Sequence, residues 1–289
     1  MQIVRLMEIP KEGSNLAFQD DIQDDLTLED VKLKTCRFKR LGMRDARFIN
    51  SSITQSLFED CYLRKASFKN IQLTGNTFRN CNLERATFQG CDLRYCTFEN
   101  VRLNREEIIG CLPVEPNLRR DLARNIRRNF EMQGDKESAD IFMRIEIQAH
   151  EESLLAIFRR PTKYYKERYN YMDQVKAGLK YVNSKISGIV WGYGHRVNRL
   201  FISFLGVSFI LSLVTYFGNI KFAGDGVSAA RTLSFWEAMY QVFSDALGGA
   251  STGFSPSLWD GRLLQLGERF LGTLFLALLA AAAYRKITR

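Results

Sequence analysis

Cys81–Phe98 reads CNLERATFQGCDLRYCTF, and its spacing decides the fold of the first hundred residues. Leu83, Phe88, Leu93 and Phe98 fall five apart, with small or polar residues in the gaps. A period of five matches neither the 3.6 of a helix nor the 2 of a strand. It suits a chain that turns a corner every five residues and points one large side chain inward from each side. Outward from this stretch, every fifth position from Leu28 to Ile108 is apolar, seventeen in a row. The residue two positions earlier is usually small or apolar: Cys36, Ala46, Ser51, Ser56, Cys61, Ala66, Cys81, Ala86, Cys91, Cys96. Four sides close a square coil, so the run predicts about four coils, a rod ~20 Å tall at the ~4.8 Å strand spacing.

A period of twenty lies within the five. Phe38, Phe58, Phe78 and Phe98 share one face, and Phe48, Phe68 and Phe88 the opposite one. Met43, Leu63, Leu83 and Leu103 line a third face, and Ile53, Leu73 and Leu93 the fourth. Each coil then needs its neighbours to bury its apolar side. The pattern resembles the A-(D/N)-L-x-x unit of the pentapeptide-repeat family. That resemblance implies a right-handed quadrilateral β-helix over residues 24–112, preceded by a cap over 1–23. Five of the six cysteines take the small inward slot, which makes them core residues rather than ligands or redox groups. Some members of that family mimic DNA through an acidic surface. Here residues 26–112 carry fifteen Lys/Arg against ten Asp/Glu, a balance of 15 − 10 = +5, which argues against such mimicry. No aromatic or recognition-helix pattern supports nucleic-acid binding, so a structural or interaction rod with a cytosolic partner is expected.

The 289 residues carry a net charge of +9, with the apolar residues gathered near the C-terminus. The opening MQIVRLMEIPKEGSNLAF lacks the basic start and apolar core of a secretory signal. No CxxC pair, metal-ligand spacing, phosphate loop or Ser/His/Asp arrangement appears, so neither an enzyme, a metal nor a cofactor is expected.

Residues 113–198 read as a helical linker. Pro113 and Pro116 end the repeats, and Leu118, Leu122, Ile126 and Phe130 then recur at helical spacing. With Gly134 as a stop and Asp135 as a cap, an antiparallel pair over 117–133 and 136–159 is predicted, acting as a spacer or oligomer contact. The RNFEMQGD stretch is similar to one in pentapeptide-repeat proteins that carry a C-terminal channel domain. Residues 162–186 are basic and aromatic, suited to a headgroup zone or to a solvated linker helix. Gly192-Tyr193-Gly194 has the letters of a potassium filter but stands ahead of both apolar segments, so it reads as a hinge or interfacial turn.

Residues 199–289 read as a membrane module. Leu200–Phe217 is eighteen residues without a charge. As a helix it reaches ~27 Å, near the ~30 Å of a bilayer core. Segments at about 199–217 and 262–284 are expected to span. The loop 218–262 has three basic and four acidic residues, 3 − 4 = −1, whereas both outer flanks are basic. The positive-inside rule then puts both termini in the cytoplasm, with a multi-pass anchor in the plasma membrane. Glu268 and Arg269 fall near the outer end of the second span. They face a partner there, with Glu268 bonding to the back of the loop, or they lie in the interface.

Between the spans, SFWEAMYQVF runs into a glycine-rich turn, and WDGRLLQLGERFLGTLFLALLAA follows. This resembles the two-span tetrameric cation-channel pore domain. Phe235, Ala238 and Tyr240 match its pore helix, at about 234–247; Gly261, Arg262, Leu263, Glu268, Leu271 and Gly272 match its inner helix. The resemblance implies a homotetramer with a filter loop over 248–256: Gly248, Gly249, Ala250, Ser251, Thr252, Gly253, Phe254 and Ser255. Glu237, Glu268 and Gly272 would support it. Ser255 and Pro256 replace the second glycine and the acid of a potassium filter, so the architecture carries over and the selectivity does not. Asp245 can ring the mouth and favour cations, or simply bond to its neighbours. The expected partners are therefore a lipid bilayer, further copies of the chain and permeating ions. The alternative is a membrane-anchored scaffold that conducts nothing.

Overall fold

The computed structural model describes residues 2–194, 197–218, 220–224, 231–248 and 254–287. They divide into two compact units, Met1–Gly178 and Leu179–Arg289.

The first unit opens with a β-solenoid of about five turns plus a helical region. Its corners explain the five-residue period. Every fifth residue from Asn15 to Asn100 has a left-handed backbone, with φ between 46° and 75°. Non-glycine residues reach that region at a cost that Asn and Asp bear best. Ten of these corners are Asn or Asp, such as Asp20, Asp60 and Asn80, and Gly75 and Gly90 take two more. Successive coils pair in parallel with a twenty-residue register, Phe38 against Phe58 and Phe58 against Phe78. The rings stack face to face, with centroids 4.4 Å apart for Phe38–Phe58 and 4.8 Å for Phe48–Phe68.

Pairing begins earlier than the sequence suggested, which corrects both the four-coil count and the 1–23 cap. Phe18 stacks on Phe38 at 5.0 Å, and Glu12–Ser14 pairs with Lys32–Lys34. Gly13 stands opposite Leu33, so the apolar signal fails at that slot although the coil continues. All six cysteines are free and buried. Five of the thiols donate to carbonyls one coil back, such as Cys61 to Phe38 O at 3.3 Å and Cys81 to Phe58 O at 3.4 Å. Burial pushes the Cys96 thiol up to about 12, leaving it protonated at neutral pH.

Outside the Phe38–Phe98 stack, charges alternate along the rod. Lys39 lies 3.2 Å from Glu59, and Arg79 bridges Glu59 at 3.8 Å and Glu99 at 2.8 Å. This face is electrically balanced by its own residues.

Helices α1 (Arg105–Ile109), α2 (Pro116–Met132) and α3 (Lys136–Arg159) close the C-terminal end. Pro116 suits the first turn of α2, where its missing N–H has no partner to lose. Asp135 accepts a hydrogen bond from Ser138 N at 3.0 Å and caps α3. The pair was expected to be a spacer or an oligomer contact. Instead Leu122, Ile126, Phe130 and Phe142 join the solenoid's own hydrophobic core. The last coil offers unpaired backbone groups, and α2 answers them with side-chain amides one turn apart. Asn125 Oδ1 accepts from Phe98 N at 2.7 Å, and Asn129 Oδ1 accepts from Val101 N at 2.8 Å. Asn129 Nδ2 donates back to Val101 O at 2.8 Å. These amides take the place of a further strand and blunt a sheet edge that would otherwise recruit another chain.

Helix α4 (Lys163–Arg168) follows, then α5 (Tyr171–Trp191), which contains the boundary between the units. Gly192–Gly194 forms a 3-10 turn in which Tyr193 has φ 57°, so this segment is a turn, as expected.

The second unit holds α6 (Val197–Phe217), α7 (Phe235–Ala246) and α8 (Trp259–Ile287). A three-stranded antiparallel sheet, invisible in the sequence pattern, lies beside them. Lys221–Gly224 pairs with Arg231–Thr232 and with Phe254–Pro256.

Candidate functional site

The site is the set of polar and small residues where α7 meets α6 and α8. Helix α7 is amphipathic. Ala238, Gln241, Val242 and Ala246 are buried on one side, and Trp236 and Tyr240 are exposed on the other. Its N-terminus is fixed by a capping box: Glu237 N donates to Ser234 Oγ at 3.4 Å, and Ser234 N donates to Glu237 Oε2 at 2.9 Å. Arg231 also reaches Glu237 at 2.6 Å. Arg231 first, then the Ser234 hydrogen bonds, hold the Glu237 carboxyl down at about 2. Glu237 therefore sets where α7 starts.

At the other end of α7, Asp245 is bonded rather than bare. Gln241 Nε2 donates to it at 2.5 Å and Gln265 Nε2 at 3.0 Å. Arg269 Nη2 donates at 3.2 Å, and the Asp245 side chain is only 9% exposed. Of the two readings of this residue, bonding to its neighbours is the one observed. The carboxylate pins α7 to α8 instead of offering an uncompensated charge. Glu268, one turn of α8 beyond Gln265, is buried at 3% exposure.

Gly272 explains how α8 approaches. A β-carbon there would overlap the backbone of Ala246. Around this contact Leu200, Phe204, Ala246 and Phe275 form a small core, with the Phe204 and Phe275 rings stacked at 4.1 Å. On α6, Ser208, Ser212 and Thr215 are buried, small polar residues of the kind that let apolar helices pack closely. Asp245, Gly248, Arg269, Thr273 and Leu276 border an open cavity of about 440 Å³.

The filter-loop residues Gly249, Ala250, Ser251, Thr252 and Gly253 lie outside the described residues. Gly248 ends α7 with φ 67°. Phe254 and Ser255 do not continue an open loop, which corrects that expectation. They pair with Gly224 and Ala223 in the antiparallel sheet. Ladder pairing was missed because Lys221–Gly224 and Phe254–Pro256 are too short to show a period of two.

Asn198–Phe217 and Gly261–Tyr284 are long and apolar enough to cross a membrane, yet only 28% and 22% of them are buried. A core helix of a water-soluble domain would be mostly buried. Among the described residues, no cluster of His, Cys, Asp and Glu is placed to hold a metal ion.

Residues 31–108 match the family described as "Pentapeptide repeat region". No curated protein matches the chain. Among solved structures, a trypsin-treated variant of QnrB1, a plasmid-mediated fluoroquinolone resistance protein, is 22% identical with a TM-score of 0.20. That alignment covers 32% of this chain and 48% of QnrB1, so the chain spans about half of that protein. Rfr23, a pentapeptide repeat protein from the cyanobacterium Cyanothece 51142, is 12% identical with a TM-score of 0.19. There the alignment covers 34% of this chain and 90% of Rfr23. Residues 31–108 are thus a pentapeptide-repeat region.

Proposed function

We propose that the chain is one subunit of a homotetrameric membrane ion channel, with its pentapeptide-repeat domain in the cytoplasm and both termini on that side. The observation that carries this reading is the seating of α7. A short amphipathic helix is packed between two span-length helices, and the inner one is brought to its C-terminal end by a glycine. A mere anchor has no use for that arrangement. Two spans of one chain cannot enclose a pore, so conduction requires several copies around an axis. The Asp245–Arg269 pair holds the end of α7 at a fixed place relative to α8, where a selectivity loop would need a rigid base. Cations are the proposed permeants by analogy with the two-span pore; the neutralised Asp245 adds nothing to that preference. The solenoid is proposed to bind a cytosolic partner and to localise or gate the pore. Nothing in this reading requires catalysis, a cofactor or nucleic acid.

One observation favours the second reading, a non-conducting membrane-anchored scaffold: the strand pairing of Phe254 and Ser255. Flux through liposomes containing purified protein, with potassium, sodium and chloride tested in turn, separates the two. Cation flux that scales with protein content supports the channel. Silence from correctly inserted oligomers leaves the scaffold.

A further inference from the structure

Helix α5 carries a pattern that neither the solenoid nor the pore module uses. Met172, Val175, Leu179, Val182, Ile186 and Ile189 are spaced 3, 4, 3, 4 and 3 residues apart. That is an a/d heptad with a period of 3.5, the repeat of a left-handed coiled coil. All six are exposed, at 59%, 37%, 66%, 53%, 53% and 72%. The contacts that α5 makes within the chain are on other sides of the helix. Ala177 is buried, and Gly178 lies so close to Phe158 that an added β-carbon would sit 2.9 Å from that ring. Gln174 Nε2 donates to Phe158 O at 2.7 Å, and Gly188 faces the Tyr193 ring. Such contacts position α5 while leaving one continuous apolar seam bare.

We propose that this seam joins α5 to the same helix of three further copies of the chain, forming a parallel four-stranded coiled coil next to the first span. The composition of the seam points to more than two strands. The a positions are Met172, Leu179 and Ile186, and the d positions are Val175, Val182 and Ile189. Two-stranded coils favour β-branched residues at a and Leu at d. Leu at a with β-branched d, or Ile at both, favours three- or four-stranded bundles; here d is β-branched throughout and a holds Met, Leu and Ile. The flanking e and g positions within α5 are Tyr171, Lys176, Gly178, Asn183, Lys185 and Val190, none of them acidic. The count of four rests on the channel reading; association through the seam does not. A lipid surface is the competing occupant. An interfacial helix carries a broad apolar face, however, whereas this stripe is two residues wide per heptad.

The test uses the full-length chain, whose native cysteines are all buried. In membranes under mild oxidant, Val182→Cys on the seam is expected to give covalent dimers, and Lys180→Cys beside it none. In detergent, the wild-type particle is expected at four times the 33.3 kDa chain mass, and the Leu179→Asp/Ile186→Asp variant at one chain. The cross-linking arm does not depend on the double variant folding well. Absence of Val182→Cys cross-links, or an unchanged mass in the double variant, overturns the proposal. So does a fluorophore on the introduced thiol that enters lipid in uncross-linked protein. A two-chain particle overturns the four-stranded form. Cross-linked, four-chain protein that passes no ions keeps this inference and sinks the channel; ion flux without seam cross-links does the opposite.

Discussion

Gly272 of α8 lies directly against the Ala246 carbonyl at the end of α7, leaving no room for a β-carbon. What must yield to a larger residue is backbone, not a flexible side chain. Gly272→Ala is therefore expected to cost ~1–3 kcal/mol, the usual range for overpacking, and to abolish flux. Gly267, on the same helix, has nothing within 4 Å of such a carbon. Gly267→Ala should be neutral or stabilise by up to ~1 kcal/mol through helix propensity. Melting curves in detergent and liposome flux on both variants check the contrast.

Asp245 and Arg269 should show energetic coupling. Asp245→Ala removes a charged acceptor shared by Gln241, Gln265 and Arg269, at a cost of ~1.5–3 kcal/mol. Arg269 is one of three donors to Asp245, so Arg269→Ala leaves the carboxylate both amide partners and should cost less. The double variant should lose less than the sum, by ~0.5–3 kcal/mol. Strict additivity in a double-mutant cycle would show that the pair does not act as a unit.

At the end of the solenoid, Asn129→Leu strips the Val101 N–H of its partner, while Gln133 Nε2 still donates to Val101 O at 2.5 Å. A buried group left unsatisfied costs ~1–3 kcal/mol. The exposed edge should also promote association. A lower urea midpoint together with rising light scattering is expected. Asn129→Asp, which still accepts from Val101 N, should lie between wild type and Asn129→Leu.

Position in the stack should grade the phenylalanine variants. Phe58 has a ring on each side, at 4.4 Å and 4.8 Å, whereas Phe18 has one, at 5.0 Å. Phe58→Ala is expected to cost ~3–5 kcal/mol. Phe18→Ala should cost visibly less in the same denaturation assay.

Acid should weaken the α2–α3 pair through Glu146. Burial alone would raise its carboxyl, but Arg124 at 2.7 Å and Arg127 at 2.9 Å outweigh that and hold it below the usual 4.5. A carboxyl lowered in the folded state adds stability above its unfolded value. That contribution fades as pH falls through the lowered folded value. Glu146→Gln should therefore be less stable than wild type at neutral pH, and the difference should shrink progressively as pH falls below 4.5. A constant difference across that range would exclude Glu146 as the source.

How much could be read before folding differs between the two units. In the solenoid, Phe38 to Phe98 were legible because a strict period of five is itself the geometry of the coil, and each side repeats the same local corner. The reading failed at Gln23 and again at Gly13, where the slots hold no apolar side chain but the coil persists. In the second unit, the two long apolar helices were legible from length and apolar runs, and α7 from the resemblance to a pore helix. The heptad of α5 was also present in the letters, but only its exposure separates it from an ordinary buried stripe. Asn125 and Asn129 as edge caps, Asp245 as a bonded residue and the pairing of Ser255 with Ala223 needed the folded chain. Each joins groups whose separation in sequence carries no period. Local repetition writes itself into a sequence; a single contact between distant residues leaves no pattern, and only packing reveals it.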